Sequence, residues 1–297
     1  MRAKALLWLV VLVLAWTCAL AESPVVVDRV NAPKNHADFA FAEDAALLEV
    51  YFPHIMNCDA ALLRCGGETM LIDCASAKYA PRVVQMLEHL GITEIDCVVN
   101  THPHYDHLEG LETLAQTVKV KELRISFPED YDEQMLKAMK VAQQYGIPVN
   151  QYADGDQWTL GDAVIDVWLK GDESWYLNDQ SAVMRVQFGQ RTMLFTADIE
   201  RSTMMRLAEV IPAEALDIDI MKFPHHGKNG LNVAFREKTS PLLCIITNTD
   251  SSKHKSIETL RRHKIPYVCT TPGILSLRCD GTAWLVERAE LPPARLQ

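Results

Sequence analysis

Residues 101–107 read THPHYDH, which places three histidines and one aspartate within six positions. His102 and His104 are two residues apart, so in an extended chain their side chains point to the same side. Asp106 and His107 follow where the chain turns into a predicted helix. Neutral imidazoles and a carboxylate that converge at a strand end form a site for a divalent metal. Zinc is the first choice, with manganese or iron as alternatives, and the competing interpretation is a histidine-rich surface loop.

The elements that position this cluster alternate between strands and helices. The apolar run EIDCVVN predicts a buried strand that ends directly at the cluster, where α/β folds usually place their chemistry. Earlier, AALLRCG and ETMLIDCA predict a hairpin over Gly66-Gly67, and PRVVQMLEHLG has helical spacing. The second half continues the alternation, and LDIDIMKF predicts a strand that leads into PHHGKNG. These patterns predict one α/β domain over residues 46–297, preceded by an unpatterned leader at 22–45.

The first 21 residues have the three parts of a secretory signal peptide. Arg2 and Lys4 give a positive start, an uncharged apolar run follows, and small residues stand at Ala19 and Ala21. An uncleaved anchor helix is the alternative, but the apolar run is short for a membrane span. We therefore expect a secreted or extracytoplasmic protein, with no stable membrane span after cleavage behind Ala21.

The charge of the mature chain limits its partners. Loss of Arg2 and Lys4 with the signal segment leaves 27 basic and 39 acidic residues, a net charge of −12. A surface this acidic repels nucleic acid at long range, which argues against tight, non-specific DNA binding. A local basic groove or a metal-neutralised site is still compatible with this charge, so a nucleic-acid substrate is disfavoured without being excluded.

Seven cysteines remain after the predicted cleavage, and this odd number leaves at least one of them unpaired. Several lie in apolar runs such as IDCVV, LLCII and YVCTT, where a cysteine acts as a small buried hydrophobic residue. Cys58 and Cys65 are the most plausible disulfide pair. None of the cysteines has the CxxC spacing of a cysteine-ligated zinc site.

The run HPHYDH resembles the HxHxDH signature of the metallo-β-lactamase-fold hydrolase superfamily. Three further positions of that family have counterparts here in the same order. Asp73 ends the strand TMLIDCA, Asp198 follows the strand MLFTADIE, and His225 and His226 stand in MKFPHHGKNG. The resemblance covers nearly the whole mature chain and implies an α/β fold, the four-layered αβ/βα sandwich of that family.

The HHG form is similar to the extracellular hydrolase domain of ComEC-type DNA-uptake competence proteins and their free-standing secreted relatives. Those proteins carry NxxS before a later strand, and this chain has NDQS at 178–181. Two positions depart from the pattern. The usual Gly-Asp is Ala197-Asp198 here, and Lys228 replaces a small hydroxyl residue after the HHG.

The resemblance implies a role for each member of the cluster. It implies that His102 and His104 bind one metal, and that Asp106 and His107 bind a second. It also implies that Asp198 bridges the two metals. Asp106 would in addition orient the attacking water, which makes it a candidate catalytic residue.

The remaining family positions imply supporting roles. Neighbouring residues in an extended chain point apart, so only one of the adjacent histidines can easily face the metal. We expect His226 to be this ligand, and His225 to be a catalytic contact for substrate or for proton transfer. Asp73 would orient a ligand imidazole or the metal-bound water from behind. Lys228 would suit an anionic phosphate if it faces the cleft, and is otherwise a solvated lysine.

One family position has no histidine in this chain. Many members carry another histidine between the cluster and the bridging aspartate, and none occurs here between His107 and His225. Asn178 or Asp179 could substitute, or the first metal could be held weakly. The gap argues against a typical glyoxalase or β-lactamase, which use that histidine.

Together these features predict a secreted, metal-dependent hydrolase in which a metal-activated water attacks a phosphodiester or related bond. The substrate would be a small molecule or a phosphodiester. One alternative is hydrolysis of an acyl bond in a lactone, thioester or β-lactam. The other is a metal-binding extracellular module without catalytic activity.

Overall fold

The computed structural model describes residues 25–34, 36–169, 175–251 and 253–290. The strands are β1 (Val26–Asp28), β2 (Leu48–Phe52), β3 (Ala61–Cys65), β4 (Glu68–Ile72), β5 (Glu94–Ile95), β6 (Cys97–Asn100), β7 (Lys119–Val120), β8 (Leu123–Ile125), β9 (Val149–Gln151), β10 (Gln157–Leu160), β11 (Ala163–Leu169), β12 (Ala182–Phe188), β13 (Arg191–Phe195), β14 (Ile220–Lys222), β15 (Leu243–Ile246), β16 (Tyr267–Cys269), β17 (Ile274–Cys279) and β18 (Trp284–Ala289). The helices are α1 (Ala80–His89), α2 (Tyr105–Leu108), α3 (Leu111–Thr117), α4 (Glu133–Tyr145), α5 (Arg201–Val210), α6 (Ala213–Leu216), α7 (Val233–Thr239) and α8 (Lys255–His263). Two 3₁₀ turns lie at Leu177–Gln180 and Pro224–Gly227.

Two large sheets form the centre of the fold. The first has nine strands in the order β1-β18-β17-β2-β3-β4-β6-β8-β9, and the second has seven in the order β10-β11-β12-β13-β14-β15-β16. Each sheet combines an antiparallel part with a parallel part. Apart from the parallel edge pair β1–β18, the parallel strands are β4, β6, β8 and β9 in the first sheet and β13, β14, β15 and β16 in the second. Parallel neighbours end at the same sheet edge, so their following loops are brought together.

The apolar core is arranged in layers that match the predicted fold. One cluster of buried residues lies between the facing sheets and draws side chains from both. A second cluster packs α1, α3 and α4 on the outer face of the first sheet. A third packs α5, α7 and α8 on the outer face of the second. This helix–sheet–sheet–helix order confirms the predicted four-layered αβ/βα sandwich.

In each of the two large sheets, an aspartate and a threonine on neighbouring parallel strands form the same pair of hydrogen bonds. At the start of β6, the Asp96 carboxylate accepts from the backbone N–H of Thr69 at 2.8 Å, and Asp96 N–H donates to Thr69 Oγ1 at 3.1 Å. At the start of β14, Asp219 and Thr192 make the equivalent bonds at 2.8 and 3.2 Å. These pairs fix the register of β4 with β6 and of β13 with β14, the strands that lead into the predicted site.

Several predicted elements are confirmed, and the N-terminal leader differs from the expectation. The hairpin over Gly66-Gly67 is formed by β3 and β4. The leader expected at 22–45 contains β1, which pairs in parallel with β18, so it contributes an edge strand to the first sheet. The predicted signal peptide at 1–21 lies outside the described residues. Within the described residues, no helix is both long and apolar enough to cross a membrane.

The expected disulfide pair is not present. Cys58 and Cys65 are both buried free thiols, as are the other five described cysteines, Cys74, Cys97, Cys244, Cys269 and Cys279. Cys65 lies in β3, where it faces the core between the sheets. Cys58 lies before that strand and contacts Ser76 Oγ through its Sγ at 3.4 Å. Their positions agree with the alternative expectation, that cysteines in apolar runs serve as small core residues.

We expect these thiols to make the protein less stable in alkaline solution. Burial raises the pKa of Cys97, Cys269 and Cys279 to about 12, above the unfolded value of about 8.5. The unfolded state therefore loses thiol protons first, and stability falls as the pH rises above about 8.5. The expected loss is about 1.4 kcal/mol per thiol at one pH unit above that value.

Urea unfolding under reducing conditions with EDTA, at pH 7.5 and 9.5, measures this effect. A Cys244→Ala, Cys269→Ala variant removes two buried thiols whose pKa values burial raises. Its free energy of unfolding should therefore fall less steeply with pH. Equal slopes for the variant and the unaltered chain would contradict the prediction.

Candidate metal centre

The predicted site residues meet where parallel strands of both sheets end. Asp73 follows β4, and the histidine cluster follows β6 in the first sheet. Asp198 follows β13, and His225 and His226 follow β14 in the second. The loops at these strand ends form one polar pocket between the two halves of the fold. The structure thus brings together residues that are more than 150 positions apart in the chain.

His107 is held by a carboxylate on each side of its ring. Its Nδ1 lies 2.7 Å from Asp73 Oδ2, and its Nε2 lies 3.3 Å from Asp198 Oδ1. Asp73 is fixed in turn by Thr101, whose backbone N–H and hydroxyl both donate to it at 2.8 Å. An ionised carboxylate only accepts hydrogen bonds, so Asp73 keeps a proton on Nδ1 and directs Nε2, the other ring nitrogen, at the pocket. Asp73 therefore occupies the orienting position that the sequence predicts.

His226 has the same arrangement with different partners. Its Nδ1 lies 3.0 Å from Asp59 Oδ1 and 3.1 Å from Thr247 Oγ1. Its Nε2 faces the pocket, 3.1 Å from Asp198 Oδ2 and 3.4 Å from Asp106 Oδ2. The carboxylate behind the ring again keeps a proton on Nδ1 and directs Nε2 at the pocket. His226 is fully buried, as is expected for a residue that binds a metal rather than solvent.

The donor atoms of the pocket fit a divalent metal. His107 Nε2, His226 Nε2 and Asp198 Oδ1 are all buried and make no well-aligned hydrogen bond, although the Asp198 carboxylate lies 3.3 Å from His107 Nε2 and 3.1 Å from His226 Nε2. Buried polar atoms are otherwise nearly always paired, so three unpaired atoms around one pocket require an explanation. Two imidazole nitrogens and a carboxylate oxygen are a donor set that zinc, manganese or iron can take. Asp106, which is also buried, adds a second carboxylate beside His226.

His102 and His104 form a second pair beside this set. His102 Nε2 lies 2.9 Å from His104 Nδ1, so the two rings turn these nitrogens toward each other. The other ring nitrogen of His102, Nδ1, contacts Thr101 Oγ1 at 3.2 Å, so the Nε2 of His102 is the atom that faces His104. The rings of His102 and His107 have centroids 4.1 Å apart. Their role as ligands of a separate metal stays a prediction.

Asp59 is a site residue that the sequence reasoning missed. Its carboxylate belongs, with one atom each from His107, Asp198 and His226, to a group whose atoms all lie within 4.8 Å of one another. Asp59 Oδ1 is nevertheless occupied by His226 Nδ1 and by the Thr247 hydroxyl, and Oδ2 by another side chain described below. We therefore assign it an orienting role behind His226 rather than a place among the ligands.

The electrostatics of the pocket favour positive charge. Burial lowers the pKa of His107, but Asp198 and Asp73 outweigh this effect and raise it to about 10. The pKa of His226 is raised for the same reason, by Asp198 and Asp59 against burial. Burial raises the pKa of Asp198, and the two histidines reverse this shift and hold it well below its usual value. A pocket that stabilises protons in this way also stabilises a bound cation.

The backbone at the adjacent histidines differs from the expectation. An extended chain was expected to point His225 and His226 apart, but both have left-handed backbones, with φ of 49° and 52°. As a result both rings approach the same carboxylate. His225 Nε2 lies 3.6 Å from Asp198 Oδ2, only slightly farther than His226 Nε2. The extended-chain argument was wrong, although the roles assigned to the two histidines stay predictions.

The residues considered as substitutes for the missing histidine have other partners. The Asp179 carboxylate accepts from the N–H groups of Glu200 and Thr203, at 2.8 and 3.0 Å, at the start of α5. One oxygen of this carboxylate, Oδ1, therefore caps the helix. Asn178 donates its amide to Glu200 Oε1 at 3.1 Å, and its Oδ1 is buried without a partner. The turn that carries both residues lies against the histidine loop, since Ala182 N–H donates to Thr101 O at 3.1 Å.

The open side of the pocket carries polar groups around His225. Its Nδ1 lies 3.0 Å from Glu200 Oε1, and the ammonium of Lys228 lies 3.3 Å from its Nε2. Lys228 is exposed, so its charge is at the entrance rather than in the interior. Tyr105 stands next to the histidines with 56% of its surface exposed. The entrance therefore offers a cation, a proton-transfer group and an aromatic ring to a substrate.

Ala197, the first departure from the family pattern, has a left-handed backbone with φ of 43°. Glycine adopts this conformation without a steric cost, and alanine does not. The bend directs the Ala197 carbonyl at two donors, the N–H of His225 at 3.0 Å and the ammonium of Lys222 at 2.9 Å. These bonds hold the strained residue, and with it the neighbouring Asp198, in place.

Two signals in the sequence point to the missed residues. Asp59 stands directly before the strand AALLRC, as Asp73 stands directly after the next one. Lys222 is a charged residue inside the apolar run IDIMKF, and a buried lysine requires a partner. Neither signal identifies the partner, because Asp59 and Lys222 are 163 positions apart.

Residues 55–240 match the family model described as the metallo-beta-lactamase superfamily. ComE operon protein 3 of Bacillus subtilis (strain 168) is 26% identical over 209 residues, which cover 67% of this chain and 25% of that protein. The anti-Pycsar protein Apyc1 of Paenibacillus xerothermodurans is 43% identical over 61 residues, 20% of this chain and 23% of that protein. Each match thus spans about a quarter of the relative's own length.

Among solved structures, the metallo-beta-lactamase fold protein YhfI from Bacillus subtilis superimposes with a TM-score of 0.50 and 13% identity. The match covers 75% of this chain and 95% of that one. At this level of identity the likeness concerns the fold alone. It agrees with the layered architecture.

Proposed function

The chain belongs to the metallo-β-lactamase superfamily, and from this premise we propose that it is a metal-dependent hydrolase of phosphodiester bonds. The observation that carries the hydrolase proposal is the set of three buried, unpaired donor atoms on His107, His226 and Asp198. Bound there, a divalent metal supplies a Lewis acid and lowers the pKa of a water molecule to about 7. Zinc fits the histidine-rich donor set best, with manganese or iron as alternatives.

The chain's own residues would perform the remaining steps. Asp106, whose Oδ2 lies 3.4 Å from His226 Nε2, would orient the attacking water. His225 reaches the pocket from its open side and is held through Nδ1 by Glu200 at 3.0 Å. It is therefore placed to give a proton to the leaving oxygen. Asp198 lies between His107 and His226, with its oxygens 3.3 and 3.1 Å from their Nε2 atoms, and would hold the metal together with them.

The phosphodiester class is supported by the entrance of the pocket. Lys228 places an ammonium 3.3 Å from His225 Nε2, where an anionic phosphate oxygen would approach. The similarity to ComE operon protein 3 and the HHG form of the motif agree with this class. A net charge of −10 for the whole chain disfavours long duplex DNA, so nucleotides or short single strands are the better candidates. We also propose that the protein acts outside the cytoplasm, which rests on the predicted signal peptide.

Turnover of bis(p-nitrophenyl) phosphate by the mature protein tests the proposal. The metal-stripped protein is expected to be inactive and to regain activity as zinc or manganese is titrated in. Asp106→Ala is expected to lower kcat by about 10²–10³-fold, because it removes the group that orients the water and part of the metal site. Asp217→Ala is a suitable control, since Asp217 follows α6 and lies apart from the pocket.

The outcomes separate the three candidate functions. Metal-dependent turnover that is lost in Asp106→Ala supports the phosphodiesterase. Turnover of a lactone, thioester or β-lactam without turnover of the phosphodiester would transfer the assignment to acyl hydrolysis. Tight metal binding without turnover of either class would favour the non-catalytic module.

A further inference from the structure

Lys222 is a buried charged residue next to the metal centre that the proposed mechanism does not use. It is the last residue of β14 and is 2% exposed. No other lysine or arginine among the described residues is buried. Removing an ammonium from water is costly unless close partners compensate for the lost hydration. The fold therefore retains this charge in a place where an apolar side chain would pack more easily.

Both partners of Lys222 are supports of predicted metal ligands. Its ammonium donates to Asp59 Oδ2, and the other oxygen of that carboxylate holds His226 through Nδ1 at 3.0 Å. The same ammonium donates to the carbonyl of Ala197 at 2.9 Å, and Ala197 directly precedes Asp198. One cation thus contacts the support of His226 and the residue before Asp198, and these two predicted ligands lie 3.1 Å apart, Nε2 to Oδ2.

The charge balance of the pocket gives Lys222 a second effect. Four carboxylates, from Asp59, Asp73, Asp106 and Asp198, are buried there together. Their mutual repulsion would push the ligands apart unless positive charge is present. Lys222 supplies such charge from behind Asp59, in addition to the charge that His107, His226 or a bound metal contributes.

We propose that Lys222 is a positioning residue of the metal centre, which sets metal affinity through Asp59 without contacting the metal. The inference rests on the proposed metal-dependent function and extends it to a residue outside the ligand set. Groups that orient metal ligands typically change metal affinity by 10–100-fold when they are removed. Because the ammonium acts behind the ligands, its removal should weaken binding without changing the number of metals bound.

The test measures zinc affinity directly, by competition with a chromophoric chelator, in the full mature chain. Lys222→Met is expected to weaken zinc binding about 10–100-fold relative to the unaltered protein. The visible spectrum of the cobalt-substituted protein should also change, because His226 would lose its fixed orientation. Lys119→Met is the matched control, since Lys119 pairs with Glu94 on the surface at 2.7 Å and should leave both readouts unchanged.

A double-variant comparison tests whether Lys222 acts through Asp59. Asp59→Asn with Lys222→Met removes both charges and leaves no unpaired buried ion, so this variant should fold even if Lys222→Met does not. Its zinc affinity should lie within about threefold of that of Asp59→Asn alone, as expected for two residues that act as one unit. A further loss of tenfold or more in the double variant would overturn the inference.

Failure of this inference is distinguishable from failure of the proposed function. If the unaltered chain binds zinc tightly and folded Lys222→Met binds it equally well, Lys222 has a structural role only and the inference is wrong. If the unaltered chain binds neither zinc nor manganese, the proposed function is wrong, and the inference falls with it.

Discussion

Asp198→Asn is expected to lower kcat/KM for phosphodiester turnover by at least about 10³-fold, equivalent to about 4 kcal/mol of transition-state stabilisation. Asp198 Oδ1 faces His107 Nε2 at 3.3 Å, and Oδ2 faces His226 Nε2 at 3.1 Å. The Asn side chain at this position carries no negative charge, and its NH2 group would point toward an imidazole nitrogen where the aspartate has an oxygen. The metal would thus lose both a ligand and the charge that balances it.

The matched control for this variant is Asp219→Asn. Asp219 lies at the beginning of β14 rather than at its end, and its carboxylate accepts from the N–H of Thr192 at 2.8 Å. This change also removes a carboxylate that holds β13 and β14 together, but it leaves the pocket intact. We expect it to lower the unfolding temperature while the folded protein keeps its zinc stoichiometry and kcat. Equal activity in Asp198→Asn and the unaltered chain would contradict the assigned centre.

Gly110→Ala is expected to destabilise the protein by about 3 kcal/mol or more and to disturb the metal centre at the same time. A Cβ atom on Gly110 would lie 2.0 Å from the carbonyl oxygen of Cys74, which is far inside van der Waals contact. The clash is with backbone, so no side-chain rotation can relieve it. The backbone of Cys74 also donates to His107 O at 2.7 Å, next to Asp73. Separating these segments would therefore pull His107 from its orienting carboxylate.

Gly146→Ala makes the same chemical change without the clash. Gly146 ends α4 with φ of 65°, and a Cβ there would have no neighbour within 4 Å. We expect it to cost only about 1 kcal/mol, from the left-handed backbone, and to leave zinc affinity unchanged. Thermal unfolding and chelator competition on both variants check the prediction. A Gly110→Ala protein as stable as Gly146→Ala would show that the close approach of the two segments is not required.

The local elements and the order of the site residues could be predicted because they depend on short-range patterns. The spacing in HPHYDH, the apolar strand before it and the glycine turn at 66–67 are each contained within a few residues. Hydrophobic periodicity and turn residues act over such distances, so they indicated the hairpin and the α/β class, while the family resemblance implied the four layers. The signature of the family then placed Asp73, Asp198 and the adjacent histidines in one pocket.

The same local reasoning failed where the backbone departs from regular geometry. The argument about His225 and His226 assumed an extended chain, and both residues have positive φ. Contacts made by the surrounding fold hold this conformation, including the bond from His225 N–H to the Ala197 carbonyl. Sequence periodicity carries no information about such a bend, because it describes only regular helices and strands.

From the sequence alone one could determine the fold class, the predicted metal-binding residues and their order along the chain. Only the tertiary structure decided which groups support those residues, since Asp59 lies before β3, Lys222 at the end of β14 and Thr247 after β15. The tautomers of His107 and His226 depend on those supports, because a carboxylate behind each ring selects the nitrogen that faces the pocket. Long-range pairing of strands, which no local pattern encodes, places each carboxylate behind its histidine.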